Sequence, residues 1–198
     1  MPENRKPQHR LDPRRPLVLD TRELGRRPGS MRPVRLPAPA PEGLGVEMIG
    51  VAPGAEIDLD LRLESVVEGV LVTGTADVPL TGECGRCLEP IDDRLTVDLQ
   101  ELFAYADSTT DLTGEDDETA RMEGVFLDLE PVLRDAVVLA LPLTPLCREG
   151  CSGLCAECGE RLESLPENHA HAAPDPRWAA LQGLTRDPQD HPQDPEEH

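Results

Sequence analysis

The stretch Glu56-Ile-Asp-Leu-Asp-Leu-Arg-Leu-Glu64 decides the fold, because it alternates without a break. Ile57, Leu59, Leu61 and Leu63 fall on one side, and Asp58, Asp60, Arg62 and Glu64 on the other. A period of two is the signature of a strand with one buried and one wet face. The pattern continues on either side of a turn. Val66 to Val78 carries the β-branched run Val70-Leu-Val-Thr73 with Thr75, and Leu95, Val97 and Leu99 alternate again with polar neighbours. Strands this close together, with no helical pattern between them, predict antiparallel pairing in a meander. Asp128 reads as an N-cap with Glu130 and Pro131 in the first turn. Val132, Leu133, Ala136, Val137, Leu139 and Ala140 then lie at helical spacing until Pro142 and Pro145 end the run. The expected fold class is α+β: an antiparallel, partly closed β-sheet, a packed helix, and a stapled C-terminal loop with a short helix.

Around this core the chain divides by composition. Residues 1–41 read as a basic, Pro-rich N-terminal arm, with a short strand over Pro16-Leu-Val-Leu-Asp20 and a Pro-rich link from Pro33 to Pro41. Residues 42–185 read as one β-rich domain with a cysteine-rich C-terminal segment. Within it, 107–123 is an acidic loop of seven acids and one arginine. Asp175-Pro-Arg-Trp178 starts a short terminal helix, and 186–198 is a disordered tail.

The 198 residues carry a formal charge of −20, unevenly placed. Up to Arg35 there are ten basic and four acidic residues, so this segment is +6 and the remainder −26. An acidic body repels nucleic acid, whereas the arm has the charge to meet phosphate. One lysine against eighteen arginines also marks a compositional bias, and no aromatics interleave with the arginines to stack bases. No stretch reaches the roughly 20 apolar residues of a membrane helix, and the polar start Met1-Pro-Glu-Asn-Arg lacks the apolar core of a secretory signal. The expected location is cytoplasmic, away from membranes. Clustered thiols there point to metal or redox chemistry rather than to structural disulfides.

All six cysteines fall in pairs: Cys84-Gly-Arg-Cys87, Cys147-Arg-Glu-Gly-Cys151 and Cys155-Ala-Glu-Cys158-Gly159, with His169-Ala-His171 downstream. The C-x-x-C turn presents two thiolates to one tetrahedral ion, with backbone amides donating to the sulfurs. Six cysteines and two histidines fill two four-coordinate sites, the stoichiometry of structural zinc. The grouping assigned takes Cys84, Cys87, Cys147 and Cys151 as a four-cysteine clamp, with Cys155, Cys158, His169 and His171 as the second site, whose closeness in sequence makes it slightly cheaper to close. The other joins the two C-x-x-C turns and leaves Cys147 and Cys151 with the histidines. A redox pair at Cys84/Cys87 is expected beside a βαβ unit rather than an antiparallel meander. The chain has no P-loop, H-E-x-x-H, G-x-S-x-G or deaminase-type H-x-E, so an enzyme is not expected.

The run Val78-Pro-Leu-Thr-Gly-Glu-Cys84-Gly-Arg-Cys87-Leu-Glu-Pro90, the helix end Leu139-Ala-Leu-Pro-Leu-Thr-Pro145 and Cys147 to Gly159 resemble the YceD family, the bacterial large ribosomal RNA subunit accumulation proteins. Asp175-Pro-Arg-Trp178-Ala-Ala-Leu181 is similar to the family's closing helix, and Leu24-Gly-Arg-Arg-Pro-Gly29 resembles its actinobacterial N-terminus. The resemblance implies a non-enzymatic role in 23S ribosomal RNA synthesis, processing or stability. Its implied partners are the ribosomal RNA precursor or large-subunit ribosomal proteins. It makes Cys84, Cys87, Cys147 and Cys151 the shared cluster and assigns Cys155 and Cys158 to a longer C-terminal form. His169 and His171 stand where many relatives resemble C-x-C. The alternative reading is a thiol-redox or metal-sensing regulator using the C-x-x-C pairs.

Overall fold

A computed structural model describes residues 11–108, 120–171 and 177. The first ten residues of the arm, the centre of the acidic loop, the terminal helix around Trp178 and the 186–198 tail lie outside the described residues. Along the chain run β1 (Val18–Asp20), β2 (Met31–Pro39), β3 (Ile49–Gly50), β4 (Glu56–Ser65), β5 (Gly69–Glu83), β6 (Pro90–Ala104), β7 (Phe126–Asp128) and helix α1 (Glu130–Ala140). A 3-10 turn follows at Leu162–Ser164. The fold is α+β, mostly antiparallel sheet with one helix. It falls into two compact units divided after Cys151.

In the first unit every strand pair is antiparallel: β2 with β4, β4 with β5, β5 with β6, and β3 on the far end of β5. The separate ribbon β1–β7 is antiparallel too. The alternation of β4 is realised residue for residue, with Ile57, Leu59, Leu61 and Leu63 buried and their acidic neighbours outside. Burying each such side chain is worth about 2 kcal/mol. Their neighbours on the same face are Val34, Leu36 and Ala38 of β2, Val70, Val72, Ala76 and Val78 of β5, and Val97, Leu99 and Phe103 of β6. Helix α1 packs on β6 and buries Leu133 and Val137, with Val132 and Ala136 half-buried. Leu139 is exposed, because at about 100° per residue it stands roughly 160° round the axis from Val137 and Leu141, off the buried line Leu133–Val137–Leu141. Asp128 does accept the Glu130 amide at 3.0 Å, but the N-cap position itself falls one residue later, on Leu129.

Two differences from the sequence expectation have a common geometric cause. The Pro33–Pro41 stretch is mostly an outer strand, β2, rather than a link. In an antiparallel pair only alternate residues aim their N–H at the neighbour. The Ala40 amide donates to Ala55, and the Ser30 carbonyl accepts from Ser65. Carried along the register, this makes the even-numbered residues of β2 face β4. Pro33, Pro37 and Pro39 are all odd, so each places its missing donor on the outer edge, where nothing is lost. Pro79, inside the fifteen-residue β5, likewise points into the gap between the last β4 partner, at Asp77, and the first β3 partner, at Thr81. The sheet stays open in its hydrogen bonding: β2 and β6 are its outer strands and do not pair with each other among the described residues.

Candidate metal centres

The first donor set begins in the loop joining β5 to β6. The two strands pair from Gly69↔Ala104 to Glu83↔Pro90, so Cys84-Gly-Arg-Cys87-Leu-Glu89 is the hairpin connection itself. The Cys84 amide donates to the Glu89 carbonyl (2.8 Å), and the Leu88 amide donates to the Cys84 carbonyl (2.9 Å). That turn requires a left-handed residue, supplied by Leu88 at φ 60°, the one non-glycine with positive φ among the described residues. The other two cysteines arrive from α1. Extended backbone from Leu141, with Pro142 and Pro145, carries the chain back to the knuckle, where the Gly85 amide donates to the Pro145 carbonyl (2.8 Å). A Cβ on Gly85 would stand 3.1 Å from the Thr144 methyl, so the close approach favours glycine. Gly150 at φ 75° turns the chain again, the Cys151 amide reaches the Arg148 carbonyl (3.3 Å), and Arg86 donates to the Cys151 carbonyl (2.8 Å).

The result is a tight cluster. The Sγ atoms of Cys84 and Cys151 lie 3.9 Å apart and those of Cys87 and Cys147 3.6 Å. All four donors lie within 4.8 Å of one another. Two thiolates at about 2.3 Å from a tetrahedral ion stand about 3.8 Å apart, so the set has the dimensions of a metal site. Cys84 and Cys151 are buried, Cys87 and Cys147 half-buried, and none of the six cysteines is in a disulfide. Burial pushes the Cys84 thiol up, but the amides of Cys147, Arg86 and Cys87 more than offset it, bringing it down to about 6. Cys147, crowded first by the Cys87 thiol and then by burial, is pushed up to about 12, and burial also raises Cys87. Four thiols sharing one pocket ionise together only when a cation balances them.

The second unit builds the same turn again. Leu154 bridges Arg161, the Cys155 amide donates to the Glu160 carbonyl (2.8 Å), and the Gly159 amide donates to the Cys155 carbonyl (2.9 Å), with Gly159 at φ 73°. After the 3-10 turn, the His169 amide donates to the Pro166 carbonyl and brings Nε2 to 3.7 Å from the Cys158 Sγ. The rings of His169 and His171 meet edge to face at 4.4 Å, and Cys155, Cys158, His169 and His171 hold their donors within 4.8 Å. Glu157 lies 3.8 Å from His171 Nδ1, where a carboxylate orients a ligating imidazole. The amides of Cys158 and Glu157, with the His169 ring, hold the Cys155 thiol at about 6. Both clusters can hold a metal ion. Leu88 as a left-handed residue and Arg86 as a tie to Cys151 were not visible in the sequence; the parallel with Gly159 was the available signal for the first.

In comparisons with known proteins, the family described as "Large ribosomal RNA subunit accumulation protein YceD" matches residues 72–185. Uncharacterized proteins of Mycobacterium tuberculosis and Mycobacterium bovis are each 51% identical over 166 residues, covering 84% of this chain and 80% of theirs. The uncharacterized protein YlbN of Bacillus subtilis is 26% identical over 128 residues, covering 64% of this chain and 70% of its own. No solved structure matches. Among the described residues, no helix is long and apolar enough to cross a membrane.

Proposed function

The chain belongs to the YceD family, and from that premise we propose that it is a non-enzymatic cytoplasmic factor supporting 23S ribosomal RNA synthesis, processing or stability during large-subunit assembly, with two structural zinc ions. The family match carries the pathway. The two donor sets support the zinc: each offers four protein ligands, which fits a closed structural site rather than a catalytic one with an open position. Cys84, Cys87, Cys147 and Cys151 would hold one ion, and Cys155, Cys158, His169 and His171 the other.

The charge distribution favours a protein partner over RNA. Five of the arm's seven arginines among the described residues are engaged within the molecule: Arg15 with Asp128 and Glu130, Arg22 with Asp20, Arg26 with Asp107, Arg32 with Glu23 and Arg35 with Asp60. Basic large-subunit ribosomal proteins therefore suit the acidic body better than phosphate does. Depleting the protein in cells and measuring the 23S to 16S ratio, alongside affinity capture of the zinc-loaded chain, tests the reading. A lowered ratio with large-subunit proteins enriched supports it; an unchanged ratio with no such enrichment overturns it.

A second reading, a thiol-redox or metal-sensing regulator, is favoured by one observation: Cys155, with its lowered thiol, is paired with the exposed Cys158. It requires metal loss and disulfide formation under mild oxidant. Full metal retention under that treatment rejects it.

A further inference from the structure

The sheet's two outer edges are treated differently. On β2, three of the five outward-facing positions are proline, so no further strand can add there. On β6 the Tyr105 amide donates to Glu68 and the Glu89 carbonyl accepts from Cys84, which makes the odd residues face β5 and the even ones face outward. The chain uses this edge at one end, where the Ala104 amide donates to the Ala120 carbonyl and its own carbonyl accepts from Met122. Below that, Asp93 caps the Arg94 amide and Glu101 the Leu102 amide. Between these caps the backbone of Thr96, Asp98 and Gln100 has no partner among the described residues, and no proline interrupts β6 after Pro90.

This open edge is one wall of a groove of about 600 Å³, and the first turns of α1 are the other. Leu99, Pro131, Val132 and Ala136 give it an apolar floor. Its charged lining is entirely acidic: Asp98, Glu101, Asp128 and Asp135. Arg15 engages Asp128; the other three carboxylates have no basic partner among the described residues. Burial, reinforced by Asp135, holds the Glu101 carboxyl above the ordinary carboxylate range. A strand edge beside a helix is the geometry in which extended peptides dock by strand addition, their backbone giving affinity and alternate side chains specificity.

We propose that the groove between the β6 edge and α1 receives an extended, lysine- or arginine-rich segment of a partner protein as an added strand. The backbone of the segment pairs with Thr96, Asp98 and Gln100, and its alternate, cationic side chains meet Glu101 and Asp135 on the helix side of the strand. The inference rests on the ribosomal reading only in making that partner a large-subunit component; the docking chemistry stands without it.

The test titrates the zinc-loaded full chain with a short peptide alternating lysine or arginine with valine, against a glutamate-for-lysine control. Binding is read by fluorescence anisotropy, and hydrogen exchange is followed at residues 96–100. Expected are salt-sensitive binding of the cationic peptide alone, slowed exchange at Thr96, Asp98 and Gln100, and a loss of about tenfold or more in affinity in Asp98→Pro. That variant copies the prolines of β2 and removes no donor facing β5. Should Asp98→Pro not fold, Asp135→Lys on the helix wall is expected to weaken binding similarly. The proposal is overturned by equal binding of the acidic control, by amides already protected in the free protein, or by a short single-stranded RNA that protects the same amides. Failure here leaves the ribosomal reading intact, while an unchanged 23S level on depletion with peptide binding preserved removes that reading alone.

Discussion

Leu88 and Gly159 occupy the same place in two nearly identical turns, yet only one is suited to it. An L-residue in the left-handed region costs about 1–2 kcal/mol relative to glycine, and Leu88 is largely exposed, so little packing offsets the cost. Leu88→Gly is therefore expected to stabilise the zinc-loaded protein by about 1 kcal/mol in urea unfolding, and Gly159→Leu to loosen metal at the second set. Gly74 is constrained more severely: at φ 150° a Cβ would sit 2.1 Å from the Asp60 carbonyl oxygen. Gly74→Ala is expected to cost about 3 kcal/mol or more, read as a lowered midpoint at unchanged slope. The thiols set a pH dependence. Cys84 and Cys155 ionise at about 6 in the folded chain against an ordinary 9.0. Their contribution to the metal-free fold is complete above about 9 and is lost as pH falls through about 6. Cys147, pushed up to about 12, opposes folding above an ordinary 9.0 unless a cation is bound. Metal uptake at neutral pH should release protons from Cys87 and Cys147, seen as buffer-dependent heats in calorimetry. Metal should leave as pH drops below about 6, followed with a zinc-sensitive dye.

At the scale of elements, legibility followed periodicity. β4 could be read residue by residue because its period of two is unbroken and one face is entirely buried. The helix could be read from its caps and prolines, although the stripe drawn through Leu139 missed the buried line Leu133–Val137–Leu141. The reading of β2 failed because its prolines were weighed as lost ladder bonds, when the shared odd numbering of Pro33, Pro37 and Pro39 already marked them as one edge of a strand. Their placement carries a prediction. Replacing all three with threonine keeps every donor facing β4 and restores the outward ones, so the variant should fold and self-associate through β2, detected as a concentration-dependent mass in sedimentation. The wild-type chain should not associate through that edge. The cysteine grouping was favoured in the sequence only by closeness along the chain and by the family resemblance, since both groupings satisfied the same ligand count; the donors meet in the favoured grouping because the folded hairpin and the proline-directed return from α1 set the distances.

For the molecule as a whole, the two donor sets differ in what they brace. The first ties the β5–β6 hairpin to the chain leaving α1, whereas the second lies wholly within the compact unit that begins at Ser152. Cys84→Ser is thus expected to remove one of two zincs by mass spectrometry and to lower the main thermal transition. Cys158→Ser should remove the other and leave that transition nearly unchanged. The net charge of −20 also takes on a different meaning once Arg15, Arg22, Arg26, Arg32 and Arg35 are found in ion pairs with neighbouring acids, because half of the arm's ten positive charges are then met within the molecule. A last consequence concerns the order in which the chain is made. Cys84 and Cys87 emerge from the ribosome before β6 is made, and their partners lie some sixty residues later, at Cys147 and Cys151. At about 5–20 residues per second, the half-built site waits roughly 3–12 s for its other half. The four-cysteine cluster can therefore close only after translation has passed the helix, which makes it one of the last features of the first unit to form.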